Sequence, residues 1–134
     1  MNDLAFVLRA VDLLRSHGVR TWVCGGWAEE LRGLRPPGRH ADLDLLYPAR
    51  GWVRVDELEL DWVEAKRSPW KRAFELDGTV VELLLVEHDV RGWFTRRSGQ
   101  RHDWPADVFA ANGRVGVASA AALNSYRDSY RRAA

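Results

Sequence analysis

The stretch Asp42-Leu43-Asp44-Leu45 alternates carboxylates with leucines. Side chains of a β-strand alternate between its two faces, so Asp42 and Asp44 are predicted on one face and the leucines on the other. Two ionised carboxylates held close together repel each other, and a cation between them offsets that repulsion. Mg²⁺ suits such a pair because it binds one or two carboxylates and leaves its other positions to water and phosphates. The same alternation is also typical of a half-exposed surface strand that binds no metal.

A glycine pair precedes this stretch by sixteen residues. The run from Val19 to Cys24 is rich in β-branched and aromatic residues and ends directly at Gly25-Gly26, which predicts a buried strand followed by a tight turn. A short helix is predicted after the turn. The polar segment 35–40 then leads into a strand over residues 42–47.

Length and composition are those of a globular chain. It has 134 residues, of which 46% are hydrophobic, and a net charge of +1. A chain of this length buries about two-thirds of its unfolded surface, so one domain is expected over residues 1–134. No apolar run is long enough to cross a membrane and residues 1–4 lack the basic region of a signal peptide, so we expect a cytoplasmic protein without membrane contact. The near-neutral charge disfavours a nucleic-acid partner, because binding to a phosphate backbone normally needs a concentrated basic face.

The outer helices are predicted from apolar periodicity and from capping residues. Apolar residues three and four apart predict a helix over residues 3–16, with Asp3 as its N-cap and Gly18 just beyond its end. Ser119 is predicted to cap a last helix over residues 120–132.

Alternation and turn residues predict the strands of the second half of the chain: residues 61–66, 70–76 and 79–86, with two short strands around Phe109 and Val115. Hairpin turns are predicted at Asp77-Gly78 and at Asn112-Gly113. Residues 91–106 are predicted to form a mobile loop. Helix, strand, helix, several strands and a closing helix predict an α+β fold, in which helices flank a small mixed β-sheet.

The residues Gly25-Gly26-Trp27-Ala28 and His40-Ala41-Asp42-Leu43-Asp44-Leu45, in this order and spacing, closely resemble the nucleotidyltransferase fold of the DNA polymerase beta superfamily. Within it the chain is most similar to the small aminoglycoside and lincosamide nucleotidyltransferases, and the resemblance covers about residues 4–126. It implies transfer of a nucleoside monophosphate from a nucleoside triphosphate to a hydroxyl of a small acceptor, with two Mg²⁺ ions. The alternative is a non-catalytic or regulatory nucleotide-binding domain, such as a toxin–antitoxin component that retains the fold.

Binding of two Mg²⁺ ions takes roughly three carboxylates, so a third acidic residue is expected beside Asp42 and Asp44. Glu82 is the first candidate because it lies mid-strand in an apolar segment, where an unpaired carboxylate is costly to bury. The relatives usually have aspartate at this position, so the glutamate departs from their pattern. The structural alternative is an ion pair between Glu82 and an arginine. Glu87 is the rival ligand, but it lies at the end of the strand and, by parity, on the opposite face.

The resemblance also implies residues that bind the nucleotide: Gly25, Gly26, Arg39 and Lys71, with Lys66 and Arg72 beside them. Glycine lets the backbone amides approach a triphosphate closely, although a glycine pair is equally compatible with an ordinary strand-to-helix turn. His40 is predicted to support its loop rather than to bind metal, since no other histidine or cysteine stands at ligand spacing. Trp70 and Trp93 are candidates for stacking on the base or the acceptor.

The expected partners are a nucleoside triphosphate and a small hydroxylated acceptor, either aminoglycoside-like or lincosamide-like. Larger relatives add a helical domain that helps to build the acceptor site, and 134 residues leave no room for one. The acceptor site is therefore expected to be completed by the partner subunit of a homodimer, by the loop over residues 91–106, or not to form.

Overall fold

The computed structural model describes residues 2–109 and 115–133, with side chains as far as residue 127. Within these ranges the chain forms four α-helices, one 3₁₀ helix and seven β-strands. In chain order they are α1 (Leu4–Ser16), β1 (Trp22–Cys24), α2 (Gly25–Leu31), β2 (Asp42–Pro48), α3 (Val53–Asp56), β3 (Asp61–Trp62), the 3₁₀ helix (Glu64–Lys66), β4 (Lys71–Leu76), β5 (Thr79–Asp89), β6 (Gly92–Arg97), β7 (Gln100–Asp103) and α4 (Ala120–Ala133). None of the helices described is both long and apolar enough to cross a membrane.

Helix α1 begins after Asp3 and ends before Gly18, the two residues predicted to flank it. The Asp3 carboxylate accepts a hydrogen bond from the Phe6 amide at 2.9 Å and so satisfies one free donor of the first turn. At the other end Gly18 adopts a φ of +78°, and the Val19 amide donates to the Leu14 carbonyl at 2.9 Å. Both ends of the helix are therefore fixed by hydrogen bonds between residues close in sequence, which is why the sequence predicts them.

The seven described strands form one mixed sheet. Its main order is β1-β2-β5-β4-β3, and the long strand β5 extends beyond β2 and β4 to pair with β6, which in turn pairs with β7. Of the strand pairs described, only β2 and β5 run parallel. Asp77 and Gly78, with φ angles of 50° and 78°, form the predicted tight turn between β4 and β5. The α+β fold with a mixed β-sheet and flanking helices is confirmed.

The leucines and valines that alternate with the acidic residues of β2 and β5 are buried. Leu43, Leu45, Val81 and Leu83 are fully buried and belong to the same hydrophobic core as Phe6 of α1. Burying one such side chain stabilises the fold by about 1.5–3 kcal/mol. This core fixes which face of the sheet carries the carboxylates, because a slip of one residue would move every leucine to the other face.

The prediction of a mobile loop over residues 91–106 is wrong. Strands β6 and β7 form an antiparallel hairpin that turns at Ser98 and Gly99, whose φ angles are 50° and 77°. Arg101 of β7 donates from both terminal nitrogens to Asp89 of β5 at 2.6 and 2.9 Å. Arg101, a basic residue of the segment predicted to be a loop, is therefore paired with an aspartate of a neighbouring strand.

Two shorter strand predictions also need correction. Of residues 61–66, only the first two form β3, and the rest lead into the 3₁₀ helix. Phe109 lies in a turn, and Val117 makes a single parallel β-bridge to Val23 rather than a hairpin strand. The hairpin turn predicted at Asn112-Gly113 lies outside the described residues.

Helix α4 begins where the sequence predicts it. The Ser119 hydroxyl accepts a hydrogen bond from the Ala122 amide at 3.1 Å, which caps the helix. Further along, Arg127 forms an ion pair with Glu29 of α2. These contacts hold α4 next to α2 and bring the middle of α4 over the sheet.

Candidate active site

Strand pairing brings two of the predicted carboxylates into contact. In the parallel pair of β2 and β5, Asp44 lies directly opposite Glu82, and residues opposite each other in register share a face of the sheet. The two carboxyl groups are in hydrogen-bonding contact, and both side chains are partly buried. Asp42 lies two residues earlier on the same face, is exposed, and acts on Asp44 through its charge. The three acidic residues therefore lie on one face of two adjacent strands.

The pKa values of the two contacting carboxyl groups are shifted in opposite directions. Burial, and after it the charge of Glu82, raise the pKa of Asp44 from 3.8 to about 7. Burial also opposes ionisation of Glu82, but the hydrogen bond from Lys66 and the charge of Lys71 outweigh it and hold the pKa of Glu82 below its usual value. Glu82 is therefore the more readily ionised of the two carboxyl groups.

The chain has two lysines among its 20 basic residues, and both contact Glu82. Lys66 Nζ, from the 3₁₀ helix, lies 2.9 Å from Glu82 Oε1, and Lys71 Nζ, from β4, lies 3.6 Å from Oε2. The ion pair considered as the structural alternative for Glu82 is therefore formed, with lysines in place of an arginine. Lysine carries a compact charge on a flexible stem, and the Lys66 side chain is 43% exposed, so it is free to turn towards another anion.

Gly25 packs directly against Asp44. Its φ is +67°, and a Cβ atom placed there would lie 2.5 Å from Asp44 Oδ2. Glycine is therefore required twice, once for the left-handed backbone and once for the space that the carboxylate occupies. Gly26 is the second residue of α2. A Cβ atom placed there would lie 2.8 Å from the side chain of Arg35 and 3.0 Å from that of His40. The sequence predicts a tight turn at the glycine pair, but β1 passes directly into α2, which begins at Gly25. The two glycines bring bare backbone to the edge of the carboxylates.

Substitution of Gly25 by alanine is expected to destabilise the protein by about 1–2 kcal/mol from the left-handed backbone alone and to displace the Asp44 carboxylate as well. Gly78→Ala is the matched control, since Gly78 has a φ of +78° and no neighbouring atom within 4 Å of the added Cβ. Urea unfolding of both variants measures the backbone contribution. If the Gly25→Ala protein were as stable as the Gly78→Ala protein and bound nucleotide normally, the contact between Gly25 and Asp44 would have no effect on stability or binding.

His40 supports the loop that precedes β2. Its Nε2 lies 2.9 Å from Glu30 Oε1, and its ring lies over that of Trp27 with the centroids 4.3 Å apart. The hydrogen bond from His40 is the main cause that lowers the pKa of Glu30. Asn2 donates to the His40 carbonyl at 2.9 Å and accepts from the Trp27 indole at 2.8 Å. His40 is therefore held by the fold, in agreement with its predicted supporting role.

Two residues predicted near the nucleotide lie away from the carboxylates. Arg72 follows Lys71 on β4, so its side chain points to the other face, where Nε donates to Asp56 Oδ1 at 2.8 Å. Arg72 is therefore not part of this site, and the alternation along β4 was the signal that could have shown it. Arg39 is exposed on the loop before β2, and its contact with phosphate stays a prediction.

The two tryptophans singled out for stacking lie elsewhere on the molecule. Trp70 lines a separate cavity of about 260 Å³ together with Glu87 and Arg96. Trp93 packs between His88 and Phe109, with ring centroids 4.7 and 4.8 Å away. Glu87 thus lies apart from Asp44, as parity predicted, and stacking by either tryptophan on a base or an acceptor stays a prediction.

Two residues at the site were not recognised as site residues from the sequence. Cys24 of β1 is opposite Asp44 in the sheet, and Tyr126 of α4 closes the same small pocket beside Glu82. Burial, with the charge of Asp44, raises the pKa of the Cys24 thiol to about 12, so the thiol is buried and unreactive. Nothing in the local sequence marks Tyr126, because its place depends on the packing of α4 far along the chain.

The donor set suits a hard divalent cation in part. Among the described residues, no three histidine, cysteine or acidic side chains converge closely enough to form a ready-made metal site. Asp44 and Glu82 do fit as a pair, because they offer carboxylate oxygens that are already in contact. Asp42 is exposed on the same face, so its side chain can rotate towards Asp44 and Glu82.

Solved structures with the same architecture are nucleotidyltransferases. The lincosamide antibiotic adenylyltransferase LnuA, solved with lincomycin bound, is 14% identical, and the match has a TM-score of 0.74 over 96% of this chain and 87% of that one. ANT(2″)-Ia, solved in complex with adenylyl-2″-tobramycin, is 19% identical, with a TM-score of 0.64 over 97% of this chain and 76% of that one. A Thermotoga maritima protein assigned as a nucleotidyltransferase is 19% identical, with a TM-score of 0.59 over 96% of this chain and 85% of that one.

These structures define the class of fold. No protein-family model matches the sequence, and no curated protein matches it either. The mixed sheet with its flanking helices is a nucleotidyltransferase-like fold. The fold expected from the sequence resemblance is therefore confirmed.

Proposed function

We propose that the chain transfers a nucleoside monophosphate from a nucleoside triphosphate to a hydroxyl of a small-molecule acceptor. The observation that carries the proposal is the contact between Asp44 and Glu82, with Asp42 on the same face and the Gly25 backbone against it. The fold is also that of two antibiotic-binding proteins, one solved with lincomycin and one with adenylylated tobramycin. The acceptor is accordingly lincosamide-like or aminoglycoside-like, and the protein acts in the cytoplasm without nucleic-acid or membrane partners.

Asp42, Asp44 and Glu82 are the residues that would hold Mg²⁺ in this proposal. Bound there, Mg²⁺ would neutralise charge on the phosphate oxygens during an in-line displacement. A divalent cation would also replace the positive charge that Lys66 and Lys71 supply to Glu82. The two ammonium groups would then be available to the triphosphate, which carries several negative charges into the same place.

The chain's own groups have distinct roles in the transfer. The acceptor oxygen forms a bond to the α-phosphorus, the bond from that phosphorus to the pyrophosphate oxygen breaks, and pyrophosphate leaves. The acceptor hydroxyl proton passes to a carboxylate, for which ionised Glu82 is the first candidate. The bare backbone of Gly25 and Gly26 lets phosphate oxygens approach the start of α2.

A nucleotide-binding domain without transferase activity is the second candidate function. The two lysine contacts to Glu82 favour it, because they already satisfy the charge of the residue that would act as a ligand or a base. Such a domain would bind nucleotide through the lysines and would release neither pyrophosphate nor a modified acceptor.

A transfer assay separates the two functions. Purified protein is incubated with each nucleoside triphosphate, labelled on the α-phosphate, with Mg²⁺ and a panel of lincosamides and aminoglycosides. Transfer predicts a labelled acceptor and an equal amount of pyrophosphate. Nucleotide binding with no product from any member of the panel would instead support the non-catalytic domain. Sedimentation of the same preparation tests whether the active species is the homodimer expected from the sequence.

A further inference from the structure

A cavity of about 450 Å³ lies between the β6–β7 hairpin and α4. Its volume is within the range of pockets that hold a drug-sized ligand, about 300–1,000 Å³. Gln100 lines it from the hairpin, and Ser125 and Tyr126 line it from α4. Leu84 of β5 and Trp104 also contribute to its wall. The cavity is therefore formed by segments that are far apart in the sequence, and it is large enough for a small molecule.

The cavity adjoins the carboxylates of the candidate active site. Leu84 follows Glu82 by two residues on β5, so both side chains project from the same face, about 7 Å apart along the strand. Leu84 and Tyr126 line both the cavity and the small pocket that contains Asp44 and Glu82. A molecule in the cavity can therefore extend a group past these two side chains to the carboxylates.

The cavity and the glycine pair lie on different sides of the carboxylates. Cys24, which directly precedes the glycines, pairs with Asp44 on the β1 side of β2, whereas Leu84 belongs to β5 on the other side of β2. In an in-line displacement the attacking and leaving oxygens lie on opposite sides of the phosphorus. If the triphosphate binds beside Gly25 and Gly26, the acceptor oxygen must approach from another side, and the cavity provides such an approach.

Buried hydrogen bonds fix one part of the cavity wall. The Trp104 indole donates to the Thr95 hydroxyl at 2.8 Å, and that hydroxyl donates to the Leu85 carbonyl at 2.9 Å. Trp104 and Thr95 are both buried. Tyr126 stacks on Trp104, with the ring centroids 5.5 Å apart and the planes 19° from parallel. The Tyr126 ring is therefore packed on a fixed partner at the boundary between the cavity and the carboxylates.

Ion pairs fix the part of the wall that the hairpin forms. Arg101 donates to both carboxylate oxygens of Asp89 at 2.6 and 2.9 Å, and its Nε donates to Asp103 at 2.6 Å. The hydrogen bonds from Arg101 hold the pKa of both aspartates below their usual values, so the pairs are present at neutral pH. A wall that is formed before the ligand arrives favours binding, because little of the protein has to be ordered.

We propose that this cavity binds the acceptor through a ring that carries hydroxyl groups, one of which reaches the carboxylates past Tyr126. The inference rests on the proposed function, and it adds the place where the acceptor binds. The Tyr126 ring provides a flat apolar surface for the carbon face of the acceptor ring, while the Gln100 amide and the Ser125 hydroxyl can hydrogen-bond to its hydroxyl groups. The segment 91–106 thus contributes to the acceptor site as an ordered hairpin.

Calorimetric titration tests the proposal, with lincomycin and tobramycin as the probes. Both compounds carry several hydroxyl groups on rings. The protein is first saturated with Mg²⁺ and α,β-methylene-ATP, an analogue that cannot release pyrophosphate, so that binding is measured without transfer. We expect at least one probe to bind the wild-type protein, and the one that binds more tightly is then titrated into the variants.

Two substitutions that fill the cavity from different walls locate the binding site. Ser125→Trp on α4 and Gln100→Trp on the hairpin should each weaken binding of the probe by about tenfold or more. Asn124→Trp, at the exposed neighbouring position on α4, is the matched control and should leave it unchanged. Thermal melts identify the variants that fold, and ATP with Mg²⁺ should bind all of these as it binds the wild-type protein.

The possible contrary results are distinct. Unchanged probe binding in a folded Ser125→Trp or Gln100→Trp protein would place the acceptor elsewhere and overturn the proposal. Failure of both probes to bind the wild-type protein at about 10 mM, far weaker than typical recognition, would overturn it too. Loss of ATP binding in either folded variant would assign the cavity to the nucleotide instead. In all three cases wild-type binding of ATP with Mg²⁺ leaves the proposed function standing, whereas its absence contradicts the proposed function itself.

Discussion

Replacement of Asp44 by asparagine is expected to lower the rate of nucleotidyl transfer by about 1,000-fold. Asp44 lies at the centre of the site, since it contacts Glu82 across the strand pair and packs against Gly25. Asparagine keeps the shape and removes the charge that a divalent cation requires. Steady-state rates with a saturating acceptor measure the loss.

The stability of the same variant distinguishes a lost functional group from a damaged fold. Asp44→Asn removes one of two contacting carboxyl groups, so its free energy of unfolding in a chelator is expected to hold steady or rise. Asp61→Asn, an exposed carboxylate at the far edge of the sheet, should alter neither rate nor stability. A large drop in the free energy of unfolding of the Asp44→Asn protein, or near-normal transfer, would remove Asp44 from the site.

Replacement of Glu82 by glutamine is expected to lower turnover by about 100-fold or more while the fold stays intact. Glu82 stands between Asp44 and the two lysines, and its pKa below the usual value keeps it ionised at neutral pH. Loss of the partly exposed lysine contacts should cost at most about 1 kcal/mol of stability, because surface ion pairs contribute little. Thermal melts and transfer rates on the same preparation separate the two effects.

Glu87→Gln is the matched control for Glu82. Glu87 lies on the same strand but faces the separate cavity with Trp70, so its substitution should change the rate little. If Glu87→Gln lost more activity than Glu82→Gln, the third acidic residue would be Glu87 and the pairing of Asp44 with Glu82 would have no catalytic meaning.

The parts of the fold that depend on local interactions were predictable. Asp3 and Gly18 end α1 through hydrogen bonds within a few residues, and Asp77-Gly78 turns a hairpin because of its backbone preference. The shared face of Asp42 and Asp44 follows from the period of a strand. The same period would have excluded Arg72, since it must point away from Lys71 on β4.

The rest of the site depends on contacts between distant segments. The sequence of the β6–β7 hairpin resembled that of a loop. Arg101 of this hairpin is paired with Asp89, which lies on another strand, and the local sequence does not show that pairing. Lys66 reaches Glu82 from a 3₁₀ helix that no periodicity predicts. Tyr126 reaches the carboxylates only because α4 folds back over the sheet. Local pattern therefore identified the acidic residues but could not show what surrounds them.

Calorimetric titration of ATP into the wild-type protein, once with Mg²⁺ and once with excess chelator, tests the carboxylate site most directly. Asp42, Asp44 and Glu82 would repel a bare triphosphate, so binding is expected with Mg²⁺ and should weaken by about tenfold or more without it. The dependence on Mg²⁺ should disappear in the Asp42→Asn/Asp44→Asn double variant. Equal affinity for ATP with Mg²⁺ and with excess chelator would contradict the assignment of these three carboxylates to a metal–nucleotide site.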